Sequence, residues 1–305
     1  MGTSRQNHDA RCMDQGKQSV SAPQPATRFD VLKMTTADLA AAHALSREVN
    51  WPHRLEDWQF VLSVGEGLVA YSDDRLVGTA MWWTYEQDIA RLGMVIVDPT
   101  IQRSGIGRAL MLGILDRLTT PTVILNATKA GETLYRQLDF QGIGSIIQHQ
   151  GASFSAPLVP LRAGERIRPM GRNDAARLIE LDAIASGVRR EGVIAALIEN
   201  GEAVVLDDGG ESVGFAFYRR FGRGHSIGPV IARDTAGAKA LVAHWIGSNA
   251  GMFMRIDVPG ESGLSDWLEE LGLARTSHVI TMIRGAMPKP SSGFHTFGIV
   301  NQALG

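Results

Sequence analysis

Cysteine is almost missing from this 305-residue chain, with Cys12 the sole example. That excludes an intramolecular disulfide framework and any zinc site built on several thiolates. Long apolar runs are missing too: no stretch approaches the ~18 residues a membrane helix needs. Charge of one sign does not accumulate, since 30 Lys and Arg meet 32 Asp and Glu. A near-neutral chain lacks the basic footprint of a nucleic-acid binder. The eight histidines are dispersed, with no His-Glu-x-x-His pair for a metal, and no Gly-x-Ser-x-Gly elbow marks a serine hydrolase. The polar N-terminus has no apolar signal core. What is present is a 44% hydrophobic composition with 20% charged residues, which is enough to bury real cores. The length suits about two domains of roughly 150 residues. The expectation is a soluble, cytoplasmic protein with no membrane, nucleic-acid or metal partner.

Residues 1–27, polar and without periodicity, read as a disordered tail. Strand and helix signals alternate from there. A strand over 29–34 precedes a helix capped by Thr36, whose apolar face carries Leu39, Ala42, Leu45 and Val49. Trp51-Pro52-His53-Arg54 breaks it, and Leu55, Trp58 and Leu62 mark a second helix. Strands over 67–71 and 76–85 flank the hairpin turn Ser72-Asp73-Asp74-Arg75. A strand over 91–97, a helix over 106–118, a strand over 122–125, a helix over 130–138 and an extended segment over 140–148 follow. Three strands joined by short turns exclude a doubly wound parallel sheet. The fold class expected is α/β with a mixed, mainly antiparallel sheet flanked by helices.

After a linker over 151–165 the same order recurs. Val77-Gly78-Thr79-Ala80 is echoed by Val213-Gly214-Phe215-Ala216, and Gly105-Ile106-Gly107 by Ala236-Gly237-Ala238. Leu134 to Phe140 is echoed over 267–273. The offsets stay between 131 and 136 residues, which argues for duplication of one unit. The domains expected are 28–150 and 166–285, with an extension over 286–305 whose Phe297, Ile299 and Val300 suit an added edge strand.

The chemistry concentrates in Leu92 to Leu118. A β-branched strand ends at Asp98-Pro99, a turn signal. Gln102-Arg103-Ser104-Gly105-Ile106-Gly107-Arg108 then opens an amphipathic helix. Glycines let backbone N–H groups converge on an anion, and a helix N-terminus favours negative charge. The spacing is neither a Rossmann nor a Walker fingerprint.

Gln102-x-x-Gly105-x-Gly107 between strand and helix resembles the acetyl-CoA loop of the GCN5-related N-acetyltransferase (GNAT) superfamily. The preceding hairpin and Leu134-Tyr135-Arg136-Gln137-Leu138-Asp139-Phe140 fit the same family, with Asp139 in place of its usual glycine. The second half resembles the C-terminal domain of tandem acetyltransferases. There Ala236 and Ala238 replace the two glycines and Leu268 replaces Tyr135, so a degenerate partner domain is expected.

The resemblance implies transfer of an acetyl group from acetyl-CoA to a small-molecule amine or peptide acceptor, by a monomer or homodimer. It implies that Gln102 to Arg108 hold the pyrophosphate, that Val95, Ile96 and Val97 pair with the pantetheine arm, and that Asn126 contacts the cofactor. Tyr135 is expected to stabilise the leaving thiolate. Glu86 and His53 are the candidate general bases, and Trp51, Trp82 and Trp83 the acceptor-lining aromatics. A non-catalytic acyl-CoA sensor is the alternative function.

Overall fold

In the computed structural model, which describes residues 28–86, 88–155, 157–287 and 293–305, one series of elements runs through twice. The tail expected over 1–27 lies outside the described residues. The first round is β1 (Asp30–Lys33), α1 (Leu39–Glu48), α2 (Leu55–Ser63), β2 (Glu66–Ser72), β3 (Arg75–Tyr85), β4 (Ile89–Val97), α3 (Ile106–Leu115), β5 (Thr122–Ala127), α4 (Glu132–Arg136) and β6 (Gln141–Ala152). The second is β7 (Glu165–Pro169), α5 (Ala175–Ser186), α6 (Glu191–Asn200), β8 (Glu202–Asp208), β9 (Glu211–Phe221), β10 (Gly224–Ala232), α7 (Thr235–Ser248), β11 (Phe253–Pro259), α8 (Ser265–Glu270) and β12 (Ala274–Arg284). A last strand, β13, covers His295–Gly298.

Boundaries follow local chemistry. Thr35, one residue before the expected cap, receives the Asp38 carboxylate on its N–H and hydroxyl at 2.7 and 2.9 Å and starts a 3-10 turn into α1. The helix α3 stops at Leu115, short of the expected 118, as the chain approaches Thr119-Thr120-Pro121.

The mixed sheets of the two halves are fused into one of thirteen strands, ordered β1-β2-β3-β4-β5-β12-β6-β11-β10-β9-β8-β7. The last strands are exchanged. The strand β12 pairs antiparallel with β5, from Ile280 on Ala127 to Arg284 on Val123. The strand β6 pairs antiparallel with β11, from Phe253 on Ala152 to Pro259 on Ile146. Each half completes its sheet with a strand of the other, so the repeat unit of the sequence is not a separable sheet.

The expected edge strand forms in a different place. The strand β13 pairs with β10 at Val230–Ala232, inside the sheet rather than on its outer edge. Beyond it Val300 and Leu304 are fully buried in a core shared by α1, α2, α5 and α6. Among the described residues, no helix is long and apolar enough to cross a membrane.

Candidate active site

The strands β4 and β5 run parallel and pair only from Ile89 on Thr122 to Leu92 on Leu125. Past Leu92, β4 leaves β5 and the sheet opens. On its other side β4 bulges against β3: Met81 faces Gly93 and Thr79 faces Ile96, so Met94 and Val95 fall outside the ladder. Met94 has φ +52°, and the Thr79 hydroxyl donates to its carbonyl at 2.7 Å, which fixes the bulge. The backbone of Val95, Ile96 and Val97 therefore borders the opening.

The loop after β4 is built to meet an anion. Asp98 accepts from the N–H and hydroxyl of Thr100 at 2.8 and 2.6 Å, so it closes a turn, as its Asp-Pro pattern suggested. Gly105 stands at the N-cap of α3 with φ +91° and offers no side-chain cap. The first N–H groups of α3, at Ile106, Gly107 and Arg108, have no partner within the helix. A Cβ at Gly105 would meet nothing within 4 Å, so the cradle is open. The Ser104 hydroxyl beside it is buried and has no partner among the described residues. An orphaned hydroxyl, free amides and the positive end of a helix dipole fit a pyrophosphate. The side chains of Gln102, Arg103 and Arg108 are exposed around it.

At the inner end of the opening lies a cavity of about 280 Å³. It brings together Tyr135, His53, Trp51, Asn126 and the β4 bulge. Tyr135 is buried, and desolvation pushes its phenol above the ordinary range, so the hydroxyl keeps its proton. His53 is held between Trp51 and Phe221, with ring centroids 5.4 Å away on each side. Burial, and then the Arg255 guanidinium, push its pKa down to about 4, so the imidazole is neutral at physiological pH.

The comparisons with known proteins match this geometry. Two models described as acetyltransferase (GNAT) domains match residues 53–156 and 178–298, one in each half. The chain is a tandem GNAT protein. It is 27% identical over 221 residues to the uncharacterized N-acetyltransferase YitH of Bacillus subtilis, an alignment covering 71% of this chain and 77% of that one. A solved acetyltransferase from Pyrococcus horikoshii superposes with a TM-score of 0.75 at 19% identity, covering 98% of this chain and 99% of the other. A tandem GNAT protein from the clavulanic acid biosynthesis pathway does so with a TM-score of 0.59 at 14% identity, covering 87% and 100%. At these identities the solved structures speak for the fold.

Several expected site residues of this GNAT protein sit elsewhere. Glu86 is exposed on the turn between β3 and β4 and does not line the cavity, because the turn projects past the sheet. Trp82 and Trp83 point to opposite faces, and both are core. Trp83 donates to the Val61 carbonyl at 2.9 Å, while Trp82 packs in the cluster that contains Ile106 and Leu110 of α3. Asn126 lines the cavity, but its amide is already engaged. Its Nδ2 donates to the Gln302 carbonyl at 2.8 Å and its Oδ1 accepts from the Thr281 hydroxyl at 2.8 Å, so it holds the C-terminal segment in place.

Phe221, Arg255 and Gln302 are among the cavity residues that were not foreseen. All come from beyond residue 220 and carry no local motif. A bridge between the halves sets them there. Asp57, at the start of α2, accepts from the N–H of Gly222 at 2.9 Å as well as from the Arg54 side chain at 2.8 Å.

The matching place in the second half of the GNAT protein is closed by three substitutions and an added strand. Asp234 caps α7, accepting from the Gly237 N–H at 2.9 Å, so a carboxylate occupies the position an anion would take. Pro229 stands in the β10 bulge and has no N–H to give. Leu268 replaces the tyrosine. The strand β13 occupies the gap between β10 and β11, and the Ile299 N–H donates to the Asp257 carbonyl at 2.9 Å.

Proposed function

We propose that this protein moves an acetyl group from acetyl-CoA to an amine by direct attack in a ternary complex, with one donor site per chain, in the first half. The observation that carries this reading is the open β4–β5 gap, with an uncapped α3 N-terminus at one end and the Tyr135 hydroxyl in a cavity at the other. Gln102 to Arg108 hold the pyrophosphate, chiefly through the backbone of Gly105 to Arg108 and the Ser104 hydroxyl. Val95 to Val97 offer main-chain groups to the pantetheine arm, and an N–H of the bulge polarises the thioester carbonyl. As the neutral amine attacks, the N–C bond forms, the C–S bond breaks and the developing thiolate takes a hydrogen bond from Tyr135; the proton shed by the amine nitrogen ends on the thiolate, so the products are the amide and CoA thiol. Full proton transfer is uphill, since a free phenol titrates near 10 and a thiol near ~8.5, and burial widens that gap. The weak basicity of His53 suits it to accept a hydrogen bond from the amine and orient its lone pair, not to store its proton.

One observation favours the sensor alternative: no carboxylate lines the cavity among the described residues. Release of CoA thiol in the presence of an amine panel separates the two readings. Tight acetyl-CoA binding with no release for any amine would make the protein a sensor.

Two expected results test the donor site. Calorimetric titration should give one acetyl-CoA per chain. Two equivalent sites would overturn the asymmetry drawn from Asp234, Pro229 and β13. A Cβ at Gly107 would lie 3.4 Å from Leu134 and 3.5 Å from Val97, at the mouth of the cradle. Gly107→Val should therefore weaken acetyl-CoA binding at least tenfold, about 1.4 kcal/mol. Unchanged affinity in the folded variant would remove the pyrophosphate from this loop.

A further inference from the structure

The polar groups around the cavity are unbalanced in one direction. Of the residues lining it, Arg255 alone is charged. Its Nε and Nη2 are bound to Asp257 at 3.0 and 2.6 Å, which leaves Nη1 without a partner among the described residues. The Gln302 Nε2, also at the cavity, is buried and unpartnered among the described residues. Arg219 lies behind the wall, sandwiched between Phe60 and Phe221 with its guanidinium carbon 4.7 and 4.8 Å from the ring centroids. Its Nε and Nη2 are buried with no partner, and the nearest carboxylate, Asp57, is 4.0 Å away and already bonded to Arg54. Three guanidinium groups, of Arg54, Arg219 and Arg255, thus share two carboxylates, of Asp57 and Asp257.

Buried donors without acceptors cost free energy unless a ligand satisfies them. Uncompensated positive charge in a confined site attracts an anion and repels a second ammonium. We infer that the acceptor is a small amine that also carries a carboxylate, held by Arg255 and Gln302 with its amino group turned toward the β4 bulge. The inference rests on the acyl-transfer reading of the same site and names its substrate class. A cavity of about 280 Å³, shared with the acetyl end of the donor, restricts the acceptor to few heavy atoms. The second half enters the chemistry here: its Arg255, supported by Arg219, and the C-terminal Gln302 supply the specificity that the first half lacks.

The test is a matched panel from glycine to 5-aminopentanoate, with common α-amino acids. Each is compared with its carboxamide and with the diamine of the same length. The carboxylate member should have kcat/KM at least tenfold higher than either partner, mostly through KM. Equal or better turnover of the amides or diamines would overturn the inference. In Gln302→Glu a carboxylate enters the cavity, so preference should swing toward the diamine by tenfold or more. A uniform loss on every substrate would count against the inference. Arg255→Lys keeps a charge opposite Asp257 but loses the free Nη1, so the preference for the carboxylate should shrink while the Kd for acetyl-CoA is unchanged; an unchanged preference would count against the inference.

If acetyl-CoA binds but no amine is turned over, Trp51 fluorescence decides, since its ring lies 5.4 Å from that of His53. Saturable quenching by an aminocarboxylate but not by its amide upholds the acceptor class while catalysis fails. Equal responses to both overturn it. Failure to bind acetyl-CoA at all would instead sink the donor reading.

Discussion

Replacing Tyr135 by Phe should lower kcat and kcat/KM together, by ten- to a hundredfold, while the Kd for acetyl-CoA changes less than twofold. The ring is buried against Phe140, with centroids 6.2 Å apart, and Phe retains that packing. Only the hydroxyl is lost. In the resting protein that hydroxyl has no hydrogen-bond partner among the described residues, so its removal leaves no orphan behind. A hydrogen bond to a developing thiolate is worth roughly 1.5–3 kcal/mol, which sets the range of the rate loss. An interaction made only in the transition state affects kcat and leaves ground-state affinity alone. Steady-state kinetics with any accepted amine, beside direct titration of acetyl-CoA, makes the measurement. Wild-type kcat in the variant would remove Tyr135 from the mechanism. A raised Kd with normal kcat would place the hydroxyl on the ground-state thioester.

The second large effect is on stability against pH. The imidazole of His53 titrates near 4 in the folded protein and near its ordinary 6.5 in the unfolded chain. Burial is the main cause. Arg255 and Arg219 from the second half and His43 from α1 oppose the proton as well, and Asp57 favours it. Above pH 6.5 both states are neutral and the stability is fully present. Between 6.5 and 4 the unfolded chain takes up a proton that the folded protein refuses, so stability falls. The loss should be roughly 2–3 kcal/mol across that window, below the full value of the shift because the residue is only half-buried. Denaturant unfolding at pH 7.5 and 4.5 gives the difference, with His53→Gln as reference, because Gln has no proton to gain. The native protein should lose about that much more than the variant. Parallel losses would mean that His53 titrates normally and can serve as a base near neutral pH.

How far the sequence reached can be judged from individual residues. The loop from Gln102 to Arg108 was legible as an open, uncapped helix start because the pattern that makes one is local. Backbone amides at a helix start need glycine within a few residues, and the chain prints that spacing. Tyr135 was legible for a related reason, since α4 and the turn at Asp139 follow one another without interruption. Trp82 and Trp83 misled because adjacent strand positions face opposite sides, and both sides of β3 are buried. Glu86 misled because a turn residue next to a site in sequence can still project past it. Asn126 lines the cavity, and what the sequence did not show is that its amide is engaged by a segment 176 residues away.

The sequence by itself determined the order of elements, the duplication, the glycine-opened start of α3 and the difference of its copy, where Ala236, Ala238 and Leu268 stand in place of Gly105, Gly107 and Tyr135. These are encoded by short-range periodicity and by residues a few positions apart. Only the tertiary structure decided that β6 and β12 change places, that β13 fills the gap in the second half, and that Phe221, Arg255 and Gln302 close the cavity of the first. Strand exchange is invisible to local pattern because β6 and β12 present similar edges and the choice between them is made by long-range pairing. The cavity follows from that choice, since β11, carrying Arg255, and the segment after β13 reach the first half only when the two sheets are fused.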